Sequence, residues 1–194
     1  MLNFLYCQYI KNIDIRLTVH YNRGGLTGKG IIMATIHLIC GFMGFGKTTF
    51  SNRLAQQLPA VRLTHDEFMV DLYGRNMTDA EFHARYKCVD DILWKLAEKI
   101  IQSGTDVIMD YGFWNKETRK QVQAKAEKIT RDVIWHQLVC DIAVAKMRVL
   151  RRTQEDQSEL FIDESCFNEK LRQYKPISPD EKLNVEYHMT DKKS

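Results

Sequence analysis

The residues best suited to chemistry form a glycine-rich run that ends in Lys47 and Thr48. A strand-like segment precedes the run and a helix-like segment follows it, which is the context expected of the pattern GxxxxGK[ST]. Glycines let backbone N–H groups curl around phosphate oxygens, and the N-terminus of the following helix adds a positive field. Lys47 would reach the β- and γ-phosphates, Thr48 would bind Mg²⁺, and Thr49 would lie near the α-phosphate. The run therefore predicts a loop that binds ATP with Mg²⁺, formed by Gly41, Phe42, Met43, Gly44, Phe45, Gly46, Lys47 and Thr48.

Asp110 closes an apolar, strand-like segment, residues 107–109. Ligands of open parallel sheets bind outside the carboxyl ends of the strands, so a carboxylate at such an end is well placed for function. Asp110 is predicted to hold Mg²⁺ with Thr48, either directly or through a water molecule. The alternative is an aspartate that only caps the following turn.

Asp66 lies just past a second short strand-like segment, residues 61–64. From that position it would face the γ-phosphate across the cleft, and a carboxylate there can accept a proton from an attacking hydroxyl. We predict that Asp66 is the general base, with Glu67 as the second candidate. Helix N-capping by Asp66 is the rival interpretation, and the two roles can coexist.

Arg148, Arg151 and Arg152 lie at the end of a helix-like segment, at spacings that place them on neighbouring surfaces. A polar run, residues 153–159, follows. Together these features predict a lid that brings guanidinium groups to the charge on the transferring phosphoryl group. We assign Arg148 and Arg152 to nucleotide binding and catalysis with Lys47 and Asp66; a solvated basic helix end is the alternative.

Composition indicates one compact enzyme domain. The chain has 194 residues, is 44% hydrophobic and carries a net charge of +3, which favours neither a nucleic-acid nor a membrane partner. The five cysteines form no CxxC pair and the six histidines no HExxH motif, so no metal site built from side chains alone is expected. A reducing, cytoplasmic location fits this cysteine usage.

The hydrophobic pattern alternates between short β-branched runs and longer amphipathic segments, which predicts an α/β three-layer fold with a parallel sheet. In the longest helix-like segment the predicted core face includes Phe82, Tyr86, Val89, Ile92, Leu93, Leu96 and Ile100. Helices are expected to begin near Lys47, Thr78, Asn115 and Ile142, with Asp79 and Asp141 as candidate caps. Strands are expected at residues 35–40, 60–64, 106–110 and 133–139.

The two ends of the chain read differently from its middle. Residues 1–32 have no clear period and end in a glycine-rich stretch, so we predict a disordered or non-native extension, with translation starting at Met33 and the domain spanning residues 33–194. A genuine flexible arm is the alternative. Near the other end, residues 161–174 predict a further helix, and residues 182–188 a final edge strand near the adenine.

This arrangement resembles the small P-loop kinases related to polynucleotide kinase, chloramphenicol phosphotransferase and zeta toxins. The resemblance covers nearly everything from Thr35 onward and is carried by the glycine-rich loop, Asp66, Asp110 and the arginines of residues 148–152. It implies a core sheet with helices on both faces, Asp66 as base for a substrate hydroxyl, and arginines that contact phosphates. The resemblance does not identify the acceptor pocket of this protein, because the substrates of the family are diverse.

Residues 71–86 and 111–119 are expected to shape the acceptor pocket. Four aromatic side chains there could stack on a ring or pack in the core: Tyr73, Phe82, Phe113 and Trp114. Arg119 would either face the acceptor or be an ordinary surface residue.

The leading function is transfer of the γ-phosphate of ATP to a hydroxyl of a small-molecule or nucleotide-like acceptor. The alternatives are a nucleotide-dependent switch or slow ATPase that acts through a protein partner, and a nucleic-acid 5′-hydroxyl kinase. No continuous basic stripe with interleaved aromatics supports the last of these. Residues 115–118 lack the aspartate of a guanine-binding NKxD motif, which favours ATP over GTP.

Overall fold

The fold is an α/β sandwich around a five-stranded sheet in the order β2-β3-β1-β4-β5, with every neighbouring pair parallel. It is described by a computed structural model, in which residues 34–74, 77–155 and 162–191 are described. The predicted extension at residues 1–32 lies outside the described residues. Among the described helices, none combines the length and apolar character needed to cross a membrane.

One or two helices connect each pair of successive strands along the described chain, as in doubly wound proteins. The strands are β1 (Ile36–Cys40), β2 (Ala60–Thr64), β3 (Asp106–Gly112), β4 (Val133–Val139) and β5 (Val185–Met189). The helices are α1 (Lys47–Gln57), α2 (His65–Tyr73), α3 (Asp79–Gln102), α4 (Lys116–Ala126), α5 (Ile142–Glu155) and α6 (Glu164–Gln173), with a short 3₁₀ turn at Pro179–Glu181.

The central strand β1 divides the core between the two faces of the sheet. Ile36, Leu38 and Cys40 pack in a cluster that includes residues of α2, α3 and α4. Ile39 points to the other face, into a cluster with residues of α1, α5 and α6. Since side chains alternate along a strand, burial on both faces explains why β1 is an unbroken apolar run apart from His37. Both the predicted fold class and the predicted layering are confirmed.

Most of the predicted elements are found. The strands at residues 60–64 and 133–139 have the predicted bounds, and the others differ by one to three residues at an end. The final strand is a parallel edge strand paired with β4, as expected for the edge position. Helix α3 begins at a Thr78 capping box, so the cap is Thr78 and not Asp79. Asp141 accepts hydrogen bonds from the backbone N–H groups of Ala143 and Val144, as a cap should.

Two sequence interpretations need correction. Helix α2 is absent from the helices expected from the sequence: Asp66 and Glu67 lie in the first turn of this nine-residue helix. The predicted core face of α3 is wrong for Tyr86 and Ile92, which are 40% and 47% exposed. The other five predicted residues lie in or against the core, where further residues of α3 join them: Trp94, Ala97 and Ile101.

Candidate functional site

The glycine-rich run connects β1 to α1 at the carboxyl edge of the sheet, as predicted. Gly44 and Gly46 both have φ of 78°, in the left-handed region where residues with a β-carbon are disfavoured. The side chains of Phe42 and Phe45 are fully buried and pack on each other and on Tyr174. These two aromatic side chains therefore anchor the loop in the core, and only their backbone would be left to contact a nucleotide.

Helix α5 holds the loop from the side. A β-carbon on Gly44 would lie 2.4 Å from the carbonyl oxygen of Ala145, so only glycine lets the two backbones approach this closely. Arg148, one turn further along α5, donates to the Gly44 carbonyl at 3.3 Å and to the Thr190 carbonyl at 2.8 Å. Arg148 thus joins the loop, α5 and the segment after β5.

Asp110 lies within β3 at the edge where β1 meets the loop, and is buried. Its Oδ2 accepts from the Ser51 hydroxyl at 2.7 Å and lies 3.4 Å from Nη1 of Arg62. Burial raises the pKa of Asp110, although the Ser51 hydrogen bond, Lys47 and Arg62 oppose the rise. A carboxylate whose ionised form is this poorly solvated favours a nearby cation.

Ser51 is a functional candidate that the sequence analysis missed. It is fully buried one turn into α1, and its Oγ also lies 3.1 Å from the Thr48 carbonyl oxygen. Thr48 and Thr49 are exposed, and among the described residues no hydrogen bond joins Thr48 to Asp110. The spacing of three residues after Thr48 on a helix was the available signal, because it places Ser51 near the side of the helix where the loop begins.

Lys47 lies at the centre of the charged groups. Its Nζ donates to the Phe42 carbonyl at 3.2 Å. Burial lowers the pKa of Lys47, while Asp110 and then Asp66 raise it and Arg152 lowers it. The pKa of the ammonium group therefore depends on Asp110, Asp66 and Arg152, three groups that the sequence predicts to share one site with Lys47.

Asp66 and Glu67 differ in what they contact. Asp66 is exposed in the first turn of α2, but the helix cap is Thr64, so N-capping does not account for Asp66. Glu67 is ion-paired with Arg62. Among the described residues no hydrogen bond or ion pair ties the Asp66 carboxylate, so it is the freer of the two to face a substrate.

The predicted arginines Arg148 and Arg152 differ in their exposure. Arg148 uses its guanidinium to hold backbone carbonyls, whereas Arg152 is exposed and acts electrostatically on Lys47. Residues 156–159 of the predicted polar run lie outside the described part of the chain. Helix α6 follows that run, and its Phe167 is fully buried against Phe42.

Arg119 is not a surface residue, and protein groups occupy its guanidinium. Its side chain is 1% exposed and donates to both carboxylate oxygens of Glu181, at 2.7 and 2.8 Å. It also donates to the carbonyls of Phe113 and Lys175, at 3.0 and 2.8 Å. Phe113 has φ of 47°, unusual for a residue with a β-carbon, and this bond helps to hold it there.

The four aromatics proposed to stack on a ring have other neighbours. Phe113 is buried between Tyr111 and Trp135. Trp114 packs on Phe42 beneath the loop. Phe82 lies near the ring of Tyr86, Tyr73 packs under the guanidinium of Arg85, and the centroid of the Tyr86 ring lies 3.8 Å from that of His65, the neighbour of Asp66.

Residues 36–177 match a family model described as an AAA domain. The chain belongs to this AAA domain family. The matched range contains the loop, both strand-end aspartates and the arginines of α5. A comparison with curated proteins gives no match.

Solved structures with the same fold support the placement of this AAA domain protein. A candidate kinase from Chloroflexus aurantiacus J-10-fl is similar with a TM-score of 0.64 and 21% identity, over 82% of this chain and 89% of that one. The Pnkp1/Rnl/Hen1 RNA repair complex is similar with a TM-score of 0.61 and 16% identity, over 79% of this chain and 50% of that one. Chaetomium thermophilum Kti12 in complex with ADP-AlF₃ is similar with a TM-score of 0.57 and 16% identity, over 80% of this chain and 88% of that one. The predicted resemblance to P-loop kinase-like proteins is confirmed; at these identities the likeness shows the fold.

Proposed function

We propose that the protein is an ATP-dependent phosphotransferase that moves the γ-phosphate of ATP to a hydroxyl of a small-molecule or nucleotide-like acceptor. The observation that carries this proposal is the position of Lys47, which opens α1 at the end of a left-handed glycine loop and is influenced by Asp110, Asp66 and Arg152. A nucleotide switch needs the loop and Asp110 only. A free carboxylate opposite the lysine adds what a transfer reaction requires.

The proposed reaction assigns one task to each group. The backbone N–H groups of the loop and the Lys47 ammonium bind the β- and γ-phosphates. Asp66 accepts the proton of the acceptor hydroxyl while the hydroxyl oxygen forms a bond to the γ-phosphorus. The bond from that phosphorus to the β–γ bridging oxygen breaks, and ADP leaves with the electron pair. Arg152 offsets the charge on the transferring group, and Arg148 acts by positioning the loop.

Thr48 and Asp110 are the residues that fit Mg²⁺. A hydroxyl and a carboxylate are oxygen ligands of the kind that this ion takes, and a cation beside Asp110 would oppose the rise in its pKa that burial causes. Mg²⁺ bound there would neutralise charge on the phosphates. Ser51 would orient Asp110 through the 2.7 Å hydrogen bond.

The test is transfer of label from γ-labelled ATP to a panel of hydroxyl metabolites, antibiotics and 5′-hydroxyl oligonucleotides. With an acceptor in hand, Asp66→Asn should lower kcat by about 10²- to 10⁴-fold while ATP binding is retained, as expected for loss of a general base. Glu67→Gln is the matched control and should stay within a few-fold of the wild type.

Equal losses in the two variants, or none in Asp66→Asn, would contradict the assignment of the base. Steady ATP hydrolysis with no labelled acceptor across all classes would favour the switch or slow ATPase. Labelled oligonucleotide alone would assign the acceptor to nucleic-acid ends.

A further inference from the structure

A cluster of two histidines and one carboxylate lies on the face of the sheet that α1 covers, and the candidate site uses none of its members. In the pairing of β4 with β5, His136 lies opposite Glu186, and His188 follows two residues later on β5. Residues two apart on a strand share a face, so the three side chains converge. His136 is buried, while Glu186 is exposed and His188 partly exposed. The spacing along the chain predicted no such site, because the members come from strands about 50 residues apart.

The three ligand atoms form a triangle of the size that a small metal ion requires. Nδ1 of His136 lies 3.0 Å from Nε2 of His188 and 3.4 Å from Oε2 of Glu186, and the latter two atoms are 3.7 Å apart. Tetrahedral zinc with bonds of about 2.0–2.1 Å places its ligand atoms about 3.3 Å from one another. The observed edges bracket that value without rearrangement of the backbone.

The buried neighbour His37 favours the tautomer that a metal needs. Nε2 of His136 lies 2.9 Å from Nδ1 of His37. If His136 keeps its proton on Nε2 and donates it to His37, its Nδ1 presents a lone pair to His188 and Glu186. A hydrogen bond from the far nitrogen of a histidine is the usual support for a metal ligand. Nε2 of His37 then carries the proton, and it faces Asp106 Oδ2 at 4.0 Å.

The charge around the cluster is compatible with a cation. Arg53 on α1 is a positive group that acts on His188, and the Glu186 carboxylate offsets it.

We propose that His136, Glu186 and His188 bind a divalent transition-metal ion of the Zn²⁺ class, with the remaining coordination position facing solvent beside Glu186. Two imidazoles and one carboxylate are a known zinc ligand set. The ion would tie edge strand β5 to β4. It would also fix the His188 ring against Phe50 of α1, with the two ring centroids 4.4 Å apart. This proposal does not depend on the proposed function.

The test is metal binding by the full chain without nucleotide, since ATP itself chelates metals. Purified protein stripped with EDTA is titrated with Co²⁺, followed by d–d absorption, and with Zn²⁺, followed by competition and metal analysis. One ion per chain is expected, with a rise in Tm on adding Zn²⁺. His188→Gln and Glu186→Gln should each weaken binding at least tenfold and abolish the rise in Tm.

Glu169→Gln, an exposed carboxylate on α6, is the matched control and should bind like the wild type. Glu186 is itself exposed, so its variant should keep the stripped protein's Tm and circular dichroism. Binding of less than one ion per chain, unchanged binding in both variants, or cobalt–thiolate charge-transfer bands that indicate cysteine ligands would each overturn the proposal.

Discussion

At the scale of the residue, Asp110 is set up by two neighbours that come from different elements. Ser51 of α1 donates to Oδ2, and Arg62 of β2 approaches the same atom. Burial pushes the pKa of Asp110 up and these neighbours hold it down. The ionisation of the predicted magnesium ligand therefore depends on a serine that belongs to no sequence pattern.

Ser51→Ala should move the acid limb of the pH profile of kcat/KM to higher pH. The hydrogen bond favours the ionised form of Asp110, so its loss raises the pKa further and the carboxylate ionises only at a higher pH. The same change should raise the Mg²⁺ concentration needed for half-maximal turnover. Ser103→Ala, at the end of α3, is the control. Coincident profiles for the Ser51 variant and the wild type would show that Ser51 only packs.

Lys47→Ala should abolish phosphoryl transfer and leave the fold intact. The lysine sits where burial disfavours its charge, so its removal costs phosphate binding and not stability. Turnover should fall below detection while Tm stays within a few degrees of the wild type or rises. Turnover within tenfold of the wild type would exclude the role assigned to Lys47.

At the scale of the element, the loop depends on how closely α5 packs against it. This explains why the loop was predictable and its support was not. The residues of the loop are adjacent in sequence, and glycines at positions 44 and 46 indicate where its backbone takes positive φ. Arg148 reads equally well as a catalytic arginine or a basic helix end, because its actual acceptors lie 104 and 42 residues away.

Gly44→Ala should cost clearly more stability than Gly104→Ala. The two glycines have φ of 78° and 82°, so alanine incurs about 1–2 kcal/mol of backbone strain at either position. Only at Gly44 would the new β-carbon meet the Ala145 carbonyl, at 2.4 Å, whereas nothing lies within 4 Å at Gly104. Overpacking of this kind adds about 1–3 kcal/mol. Urea unfolding of the two variants measures the difference, and equal losses would mean that α5 does not hold the loop this tightly.

At the scale of the whole molecule, the features that sequence could not predict join distant parts of the chain. The strands, the central loop and both strand-end aspartates follow local patterns, and they are found where predicted. Arg119 was ambiguous because its partner Glu181 lies 62 residues away. The histidine cluster was invisible for the same reason, since only the sheet order brings β1, β4 and β5 together.

Arg119→Met should therefore be among the most destabilising single changes in the chain. It would leave Glu181, whose side chain is 4% exposed, buried without its partner, and breaking a buried pair costs about 3–5 kcal/mol. Lys116→Met removes an ion pair with Asp180 in which both side chains are more than half exposed. That control should cost less than about 1 kcal/mol.

The acid stability of the wild type and of Arg119→Met separates the ion pair from simple packing. Burial alone would raise the pKa of Glu181, but the hydrogen bonds from Arg119 and Ser178 outweigh it, and the pKa lies below its ordinary value of 4.5. The unfolded chain therefore binds the proton first, so the stability that Glu181 contributes is complete above about pH 4.5 and is lost as pH falls through the lowered pKa. In Arg119→Met the hydrogen bonds that oppose the effect of burial are fewer, so the pKa of Glu181 should rise. The loss of stability on acidification then begins at higher pH. Urea unfolding between pH 3 and 7 measures both curves, and parallel curves would mean that the Arg119 side chain contributes by packing instead of charge.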